Sequence, residues 1–343
     1  MSIQSISYTS RPLVVIATPS MADANNGNWR TAHRWRQLLE PQCRVILAPV
    51  LGDSTDLVAQ FPLLTAVPDL FVALHARRSH ASIVQMRRSH PNVPIVLALT
   101  GTDLYADLSH HVDANESLRL ADALIVLQED AIQHVPYDQR RKTHIVFQSA
   151  RSLSPAVKPG ERINCVVVGH LRAEKAPQTI FDAVALLTDD DPIHITHIGA
   201  PHSAADESLA QQAQALSKTN AHYRWVGGLA HGLTRAAIKR SHVLVHPSVL
   251  EGGANVIVEA ITAGTPVLAS RMSGNVGMLG IDYAGYFPVG DAATMVALLR
   301  RCLTDANFLL RLNTACKVRA ALFSPKEEQR RLLTIVSGLL ERG

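Results

Sequence analysis

The chain has 343 residues, of which 47% are hydrophobic and 18% are charged, and its formal net charge at pH 7 is +4. This length and apolar content predict two domains with substantial cores. The small net charge, without a long Lys/Arg tract, argues against a nucleic-acid partner. No apolar run approaches the length that spans a bilayer, which argues against a membrane partner.

The cysteines and the N-terminus indicate the compartment. The four cysteines show neither a Cys-x-x-Cys pair nor metal-ligand spacing, which is typical of reduced structural thiols: Cys43, Cys165, Cys302 and Cys316. The first ten residues, MSIQSISYTS, are polar and contain no signal-peptide core. The sequence therefore predicts a cytoplasmic protein.

Short apolar runs alternate with longer helical segments from Leu13 onward. This alternation is typical of α/β domains with a parallel sheet and helices on both faces. The first series of predicted strands comprises residues 13–18, 44–48, 69–75, 95–100, 123–127 and 144–147. The second series comprises residues 163–168, 193–198, 222–226, 243–246 and 267–270.

A Pro/Gly/Ser-rich stretch over residues 152–161 separates the two series and is predicted to be a linker. We expect a first Rossmann-like domain over 1–151, a second over 162–324, and an amphipathic helix over 325–343. Two doubly wound domains place a ligand at the carboxyl ends of their strands, and we expect a cleft between the domains.

The segment that begins at His246, HPSVLEGGANVIVEAITAGTPVLAS, carries the most specific pattern. Seven residues separate Glu251 from Glu259, in a predicted strand, loop, helix and strand. Glycines allow a ligand to approach the backbone, and the helix N-terminus favours an anion. A carboxylate such as Glu259 accepts hydrogen bonds from a ribose diol. The sequence predicts a nucleotide-sugar site formed by Glu251, Gly252, Gly253, Ala254, Asn255 and Glu259. The alternative is an ordinary buried βαβ unit whose glutamates are surface charges.

This glutamate-x7-glutamate spacing resembles the GT-B glycosyltransferases of the large retaining, sucrose-synthase-like family. The resemblance implies the GT-B fold, with a final helix that crosses back to the first domain. In that family an arginine and a lysine after the first strand of the second domain bind the donor pyrophosphate. Here Gly169, Leu171 and Lys175 match, whereas His170 takes the arginine position, and Arg172 is expected to supply the missing charge.

The predicted acceptor side lies in the first domain. Gly27 and Asn28 belong to a polar loop that opens a helix after the first strand, where we assign Gly27 to the donor and Asn28 to the acceptor. The remaining acceptor candidates follow the ends of later strands: His75, Arg77, Arg78 and Thr100. Thr100 stands where the family often has a histidine before Gly-x-Asp, and Asp103 is retained. The predicted catalytic residues are His75, Asp103 and Glu251.

Several of these segments resemble one subgroup more closely, the selenosugar synthases of selenoneine biosynthesis. The segments are HARRS from His75, TGTDLY from Thr100, GHLR from Gly169, EGGANV from Glu251 and GNVGMLG from Gly274. The resemblance implies transfer of a sugar, such as N-acetylglucosamine, from a UDP-sugar to selenophosphate. It implies functional links to a selenophosphate synthetase and to a downstream selenium-transferring enzyme.

No cofactor or essential metal is predicted. The Asp-x-Asp at Asp189–Asp191 is interpreted as a solvated turn, and the 16 histidines show no ligand spacing. Three other functions remain open: a conventional retaining glycosyltransferase with a hydroxyl acceptor, a GT-B epimerase, and a two-domain binding protein. The last is normally exported, and the polar N-terminus argues against export.

Overall fold

A computed structural model of the chain describes residues 11–19, 27–50, 67–158, 160, 162–201 and 203–341. The chain divides into two compact units. Unit 1 comprises Met1–Leu127, Ile132–Val146 and Glu328–Gly343, and unit 2 comprises Gln128–Ala131 and Phe147–Glu327.

Unit 1 contains a parallel six-stranded sheet in the order β2-β1-β3-β4-β5-β6. The strands are β1 (Leu13–Thr18), β2 (Arg44–Pro49), β3 (Leu70–Leu74), β4 (Ile95–Leu99), β5 (Ala123–Val126) and β6 (Thr143–Ile145). Its first described helices are α1 (Gly27–Leu39), α2 (His80–Ser89) and α3 (Val112–Leu120), with a short π-helix at Asp103–Asp107. The central strands are buried at every position because helices cover both faces of a parallel sheet.

Unit 2 contains a second parallel six-stranded sheet, in the order β12-β11-β10-β7-β8-β9. The strands are β7 (Ile163–Val168), β8 (Ile193–Ile198), β9 (Tyr223–Trp225), β10 (Val243–His246), β11 (Val267–Ser270) and β12 (Tyr286–Phe287). Its helices begin with α4 (Pro177–Ala185), α5 (Glu207–Thr219), α6 (His231–Arg240) and α7 (Asn255–Thr262). They continue with α8 (Ser273–Leu279), α9 (Ala292–Thr304) and α10 (Ala306–Arg319).

Each sheet has a point at which the strand order reverses. In unit 1 this point lies between β1 and β3, and in unit 2 it lies between β7 and β10. Ligands of open α/β sheets bind outside the carboxyl ends of the strands at such a point. We therefore expect ligand sites at the loops that follow β3, β7 and β10.

The last helix, α11 (Pro325–Leu340), completes the core of unit 1. Leu332, Ile335 and Val336 pack there with the strands and with Trp35. The indole Nε1 of Trp35 donates a hydrogen bond of 2.8 Å to Glu328 Oε1, and Glu328 is fully buried. The C-terminal helix predicted from the sequence is present, and most of it belongs to the first unit.

The predicted fold class, two doubly wound α/β domains of the GT-B kind, is confirmed. The predicted strands are all present, with ends that differ by at most two residues. Among the strands that the structure describes, only β12 was missed, because two residues are too few to form a recognisable apolar run.

Candidate functional site

The loops after β7 and β10 bring together two of the predicted donor residues. Lys175 lies in a 3₁₀ turn after β7, and Glu251 lies in the loop that follows β10. The Lys175 Nζ donates a hydrogen bond to Glu251 Oε1. Both side chains are largely buried, with exposed fractions of 20% and 11%. A cation and a carboxylate are thus paired at the point where the strand order of unit 2 reverses.

His246, the last residue of β10, is a third member of this cluster that the sequence did not single out as a site residue. Its Nε2 lies 3.2 Å from the same Oε1 atom of Glu251, and its side chain is only 2% exposed. Burial alone raises the pKa of the Glu251 carboxyl. The charge of Lys175 and the contact with His246 outweigh burial and lower this pKa well below its ordinary value. Glu251 is therefore an anionic hydrogen-bond acceptor.

The backbone in front of α7 is formed by small residues. Gly252, Gly253 and Ala254 connect Glu251 to Asn255, the first residue of α7. The residue at the N-cap, Ala254, has no side chain that caps the helix. The first N–H groups of α7 therefore receive no side-chain cap from Ala254, which suits an anionic group.

Gly274 supports this loop from behind. A Cβ atom at Gly274 would lie 2.1 Å from the carbonyl oxygen of Glu251. Only a glycine therefore permits α8 to pack so closely against the residue that carries the carboxylate.

Glu259, the second glutamate of the pair, lies inside α7 and is 7% exposed. His231 Nε2, at the start of α6, lies 2.7 Å from Glu259 Oε1. The imidazole of His231 is half-exposed, at 56%. Glu259 is therefore fixed in a buried position, while the ring of His231 remains accessible to solvent. His231 was also missed in the sequence, since a single histidine after a Gly-Gly-Leu-Ala turn carries no spacing signal.

The other predicted donor residues lie around Lys175. Gly169 directly follows β7, and a Cβ there would contact the Lys175 side chain at 3.4 Å. His170, which takes the arginine position of the resembling family, has its Nδ1 3.3 Å from the carbonyl oxygen of Ala200. Arg172 is about one-third exposed, and its Nε lies 3.8 Å from Glu174 Oε2. Arg172 thus places a partly buried guanidinium, whose Nε has no hydrogen-bond partner among the described residues, near the turn of Lys175.

In unit 1, Asp103 links the loops after β3 and β4 through hydrogen bonds. Its carboxylate accepts hydrogen bonds from the backbone N–H groups of Ala76 at 3.0 Å, Thr100 at 2.9 Å and Gly101 at 2.8 Å. Asp103 is fully buried. The structure therefore places this predicted catalytic residue in a position that holds the ends of β3 and β4, with both of its oxygens engaged.

His75, which directly follows β3, is also fixed by hydrogen bonds. Its backbone φ is 75°, a left-handed conformation that is uncommon for a residue with a side chain. Its Nδ1 accepts a hydrogen bond of 3.4 Å from the Arg78 N–H, so the ring proton belongs on Nε2, 3.0 Å from Thr102 Oγ1. Burial lowers the pKa of His75, and the charge of Asp103 only partly offsets this effect. At neutral pH the ring is uncharged and both of its nitrogens are engaged.

The two arginines after His75 differ from each other. Arg77 Nε lies 3.0 Å from Asp107 Oδ2, so its charge is partly neutralised. The side chain of Arg78 is exposed and has no carboxylate partner within the part of the chain that the structure describes. Arg78 is therefore a cation available to an anionic ligand.

Gly27 and Asn28 are the first two residues of α1. The rest of the predicted anion-binding loop, including Asn25 and Asn26, lies outside the described residues. Thr100 follows β4 and contributes its backbone N–H to Asp103.

The Asp-x-Asp segment is not the solvated turn that we expected. Asp189 and Asp190 are exposed, but Asp191 is 9% exposed and its two oxygens each lie 2.7 Å from the guanidinium of Arg300. The expectation was wrong for Asp191 because an arginine more than a hundred residues away covers it. Within the described residues there is no group of three His, Cys, Asp or Glu side chains that could hold a metal ion. None of the helices described is long and apolar enough to cross a bilayer.

Comparison with known proteins agrees with this geometry. The two parallel α/β units define a GT-B-type fold, in which each unit is doubly wound. Residues 151–319 match the family described as glycosyl transferases group 1.

A D-inositol 3-phosphate glycosyltransferase of Corynebacterium efficiens is 28% identical over 216 residues, which are 60% of this chain. The match covers 48% of that relative, so the chain spans about half the length of the curated relatives it matches.

Solved structures resemble the whole fold at low sequence identity. A sucrose-phosphate synthase from Thermosynechococcus elongatus has a TM-score of 0.79 at 16% identity, with 97% of this chain and 100% of that chain covered. A HepE protein of Anabaena, solved with UDP and glucose, has a TM-score of 0.72 at 15% identity, with 95% and 100% covered. At such identities these neighbours establish the fold alone.

Proposed function

We propose that the chain is a glycosyltransferase that takes a sugar from a UDP-sugar. The observation that carries the proposal is the pairing of Lys175 with Glu251 where the strand order of unit 2 reverses, in front of α7. A lysine beside uncapped helix N–H groups suits a diphosphate. A carboxylate beside them suits sugar hydroxyls. The match of residues 151–319 to glycosyl transferases group 1 and the UDP complex of the HepE neighbour support the same donor class.

Each donor residue then has a role. Lys175, with Arg172 near it, neutralises the charge that develops on the departing diphosphate, which is the main way to speed this kind of reaction. Glu251 accepts hydrogen bonds from hydroxyls of the sugar. Glu259 accepts hydrogen bonds from the ribose, and His231 fixes its carboxylate. The same residues bind the donor and assist its cleavage, so no metal or cofactor is included in the proposal.

For the acceptor we propose selenophosphate, with unit 1 supplying its binding residues. Selenium in this anion is already nucleophilic and needs no general base. This fits the strand ends of unit 1, where His75 has both nitrogens engaged and Asp103 has both oxygens engaged. Two anions 4 Å apart repel by about 4 kcal/mol per charge pair near a protein surface, so the acceptor needs cations. Arg77 and Arg78 are the candidates, and Arg78 has its charge available.

The reaction balances as follows. A carbon–selenium bond forms at C1 of the sugar while the bond from C1 to the UDP oxygen breaks, and UDP leaves with the electron pair. Water then cleaves the phosphorus–selenium bond and releases phosphate, which leaves a 1-selenosugar. An enzyme that makes selenophosphate must act before this step. An enzyme that consumes the selenosugar must act after it.

A phosphorylated alcohol is the second candidate acceptor. The curated relative acts on D-inositol 3-phosphate according to its name, and the exposed guanidinium of Arg78 suits any phosphate monoester. This alternative needs a group that accepts the hydroxyl proton.

Mass spectrometry of the purified protein tests the proposal. The protein is incubated with UDP-N-acetylglucosamine and enzymatically generated selenophosphate, beside reactions with inositol 3-phosphate and with no acceptor. A selenium isotope pattern on the sugar, with UDP released only when selenophosphate is present, is the expected result. Formation of a glycosylated inositol phosphate instead would show that the acceptor is a phosphorylated alcohol and not selenophosphate. Failure to bind UDP or any UDP-sugar would overturn the donor class as well.

The chain provides a matched control for the acceptor site. The sequence Arg-Arg-Ser-His occurs twice, at Arg77 and again at Arg87, and the two arginines of the second copy lie on α2. Arg78→Ala should raise the KM for selenophosphate about tenfold or more, because a charge-assisted contact is lost. Arg88→Ala, at an exposed position on α2, should leave this KM unchanged. Equal effects of the two substitutions would exclude a specific site at Arg78.

A further inference from the structure

His246 occupies a position that the donor chemistry above does not use. It ends β10, where its register partner in β11 is Ala269, so its backbone is part of the sheet. The loop that follows is tied to the turn of Lys175, because the Val249 N–H donates to the Glu174 carbonyl oxygen at 2.9 Å. The backbone on both sides of His246 is therefore fixed, by the sheet before it and by this turn after it.

Lys175 and His246 meet at one oxygen of Glu251. The Lys175 Nζ donates to Oε1, and the His246 Nε2 lies 3.2 Å from the same atom. The buried His246 Nε2 completes no well-aligned hydrogen bond while the lysine is in place. The contact is therefore close enough to be completed by a small rotation of the carboxylate.

Donor binding would change which groups donate hydrogen bonds to Glu251 Oε1. If Lys175 turns toward the diphosphate, as the proposed function requires, Glu251 loses its main charge partner. An ionised carboxylate that is buried without a partner is strongly destabilised. Burial is the largest effect on Glu251 and acts toward the neutral form, so another donor must replace the lysine if the carboxylate is to stay an acceptor.

We propose that His246 is a positioning residue that holds Glu251 in place, as an anionic acceptor for sugar hydroxyls, when Lys175 is drawn to the donor diphosphate. This inference rests on the proposed function for its consequence in catalysis. The contact itself requires only that His246 carries its proton on Nε2, since Glu251 can accept but cannot donate.

Two substitutions separate positioning from packing. In His246→Gln the side-chain amide retains an N–H donor near the same place, whereas His246→Leu fills the space without a donor. We expect kcat for UDP-N-acetylglucosamine and selenophosphate to fall about tenfold to a hundredfold in the leucine variant, the usual effect of losing a hydrogen bond to a charged group. The glutamine variant should recover most of this loss. The affinity for uridine alone should be unchanged in both, because uridine has neither the diphosphate that draws Lys175 nor the transferred sugar that Glu251 binds.

His197→Leu is the matched control. His197 is also a buried histidine in the sheet of unit 2, with its Nδ1 2.9 Å from the Tyr223 hydroxyl, and it belongs to β8 rather than to the donor cluster. It should leave kcat unchanged at temperatures where the variant is folded. Equal losses in the two leucine variants, or a loss of uridine affinity in His246→Leu that matches the loss of kcat, would show a structural role and overturn the inference.

A second measurement needs no donor. Nitrogen-15 NMR of histidine-labelled protein, with the His246 signal identified by its absence in His246→Gln, reports which ring nitrogen carries the proton. We expect the proton on Nε2, protected from exchange in the wild type and less protected in Glu251→Ala. A proton on Nδ1 alone would overturn the inference. A wild-type protein that binds no UDP-sugar would refute the proposed function, while the NMR result would still decide the contact.

Discussion

Replacing Asp103 with asparagine would test whether this residue holds the unit 1 loops or reacts with substrate. The carboxylate binds the N–H of Ala76 through Oδ2 and the N–H of Gly101 through Oδ1, and Thr100 donates to both oxygens. Asparagine has the same shape but only one oxygen. Whichever way its amide turns, an NH₂ group faces a backbone N–H that is buried with it.

The magnitude follows from these contacts. A hydrogen bond to a charged group contributes about 1.5–3 kcal/mol, and a buried donor left unpaired costs about 1–3 kcal/mol. The asparagine oxygen can still accept the hydrogen bonds that one of the two carboxylate oxygens accepts. We therefore expect Asp103→Asn to lower the free energy of unfolding of unit 1 by about 2–4 kcal/mol. Asp113→Asn is the control, because the side chain of Asp113 is 65% exposed and its carboxylate lies 3.9 Å from His80.

Urea denaturation followed by circular dichroism measures the difference, with the ends of β3 and β4 monitored by amide hydrogen exchange. We expect faster exchange at Ala76 and Gly101 in Asp103→Asn than in the control. A change in stability below about 0.5 kcal/mol, the usual range for a surface substitution, would refute the reasoning. If sugar transfer were then lost in a fully stable protein, Asp103 would be a reacting group as first predicted.

Three further predictions concern unit 2. Glu259→Gln should weaken UDP binding about tenfold or more in calorimetry, because the ribose loses a charged acceptor, and unchanged binding would exclude this role. Burial lowers the pKa of Lys158 to about 8, whereas an unfolded lysine titrates near about 10.4. Between these values the unfolded chain holds more protons, so the free energy of unfolding should rise with pH between 8 and 10. Lys158→Met should remove this pH dependence and stabilise the protein at pH 7. If urea denaturation gave the same dependence of the free energy of unfolding on pH for the variant and the wild type, the prediction would be contradicted. Gly274→Ala should cost about 1–3 kcal/mol, because the new methyl group would overlap the Glu251 carbonyl oxygen, whereas Gly232→Ala in open space should be neutral or slightly stabilising. Similar melting temperatures for these two alanine variants would refute the packing argument.

The strands were predictable because parallel sheets buried on both faces consist of short apolar runs, such as LVVIAT in β1 and INCVVV in β7. The nucleotide-sugar pattern was equally local, since Glu251 and Glu259 are separated by only seven residues. Both signals lie within one strand or one βα connection, which a single sequence displays directly.

The partners of these residues could not be predicted, because they depend on contacts between distant segments. Glu251 meets Lys175 across 76 positions, and Asp191 meets Arg300 across 109. A Gly-x-Asp pattern identifies Asp103 but does not reveal that its oxygens are bound to backbone N–H groups. His246 had one available signal, its position at the end of a predicted strand immediately before the Glu251 loop.

The discontinuous composition of unit 1 has a consequence for synthesis on the ribosome. Its core requires Leu332, Ile335 and Val336, and the ribosome makes these residues only after the whole of unit 2. Until α11 emerges, the apolar surface around Trp35 has no cover, and Glu328 is not yet present to pair with the indole. Unit 2 can therefore finish folding first, and we expect unit 1 to remain incompletely folded, with apolar surface exposed, until the last helix is made. Release of α11 from the exit tunnel would then be the step that commits the chain to its native state.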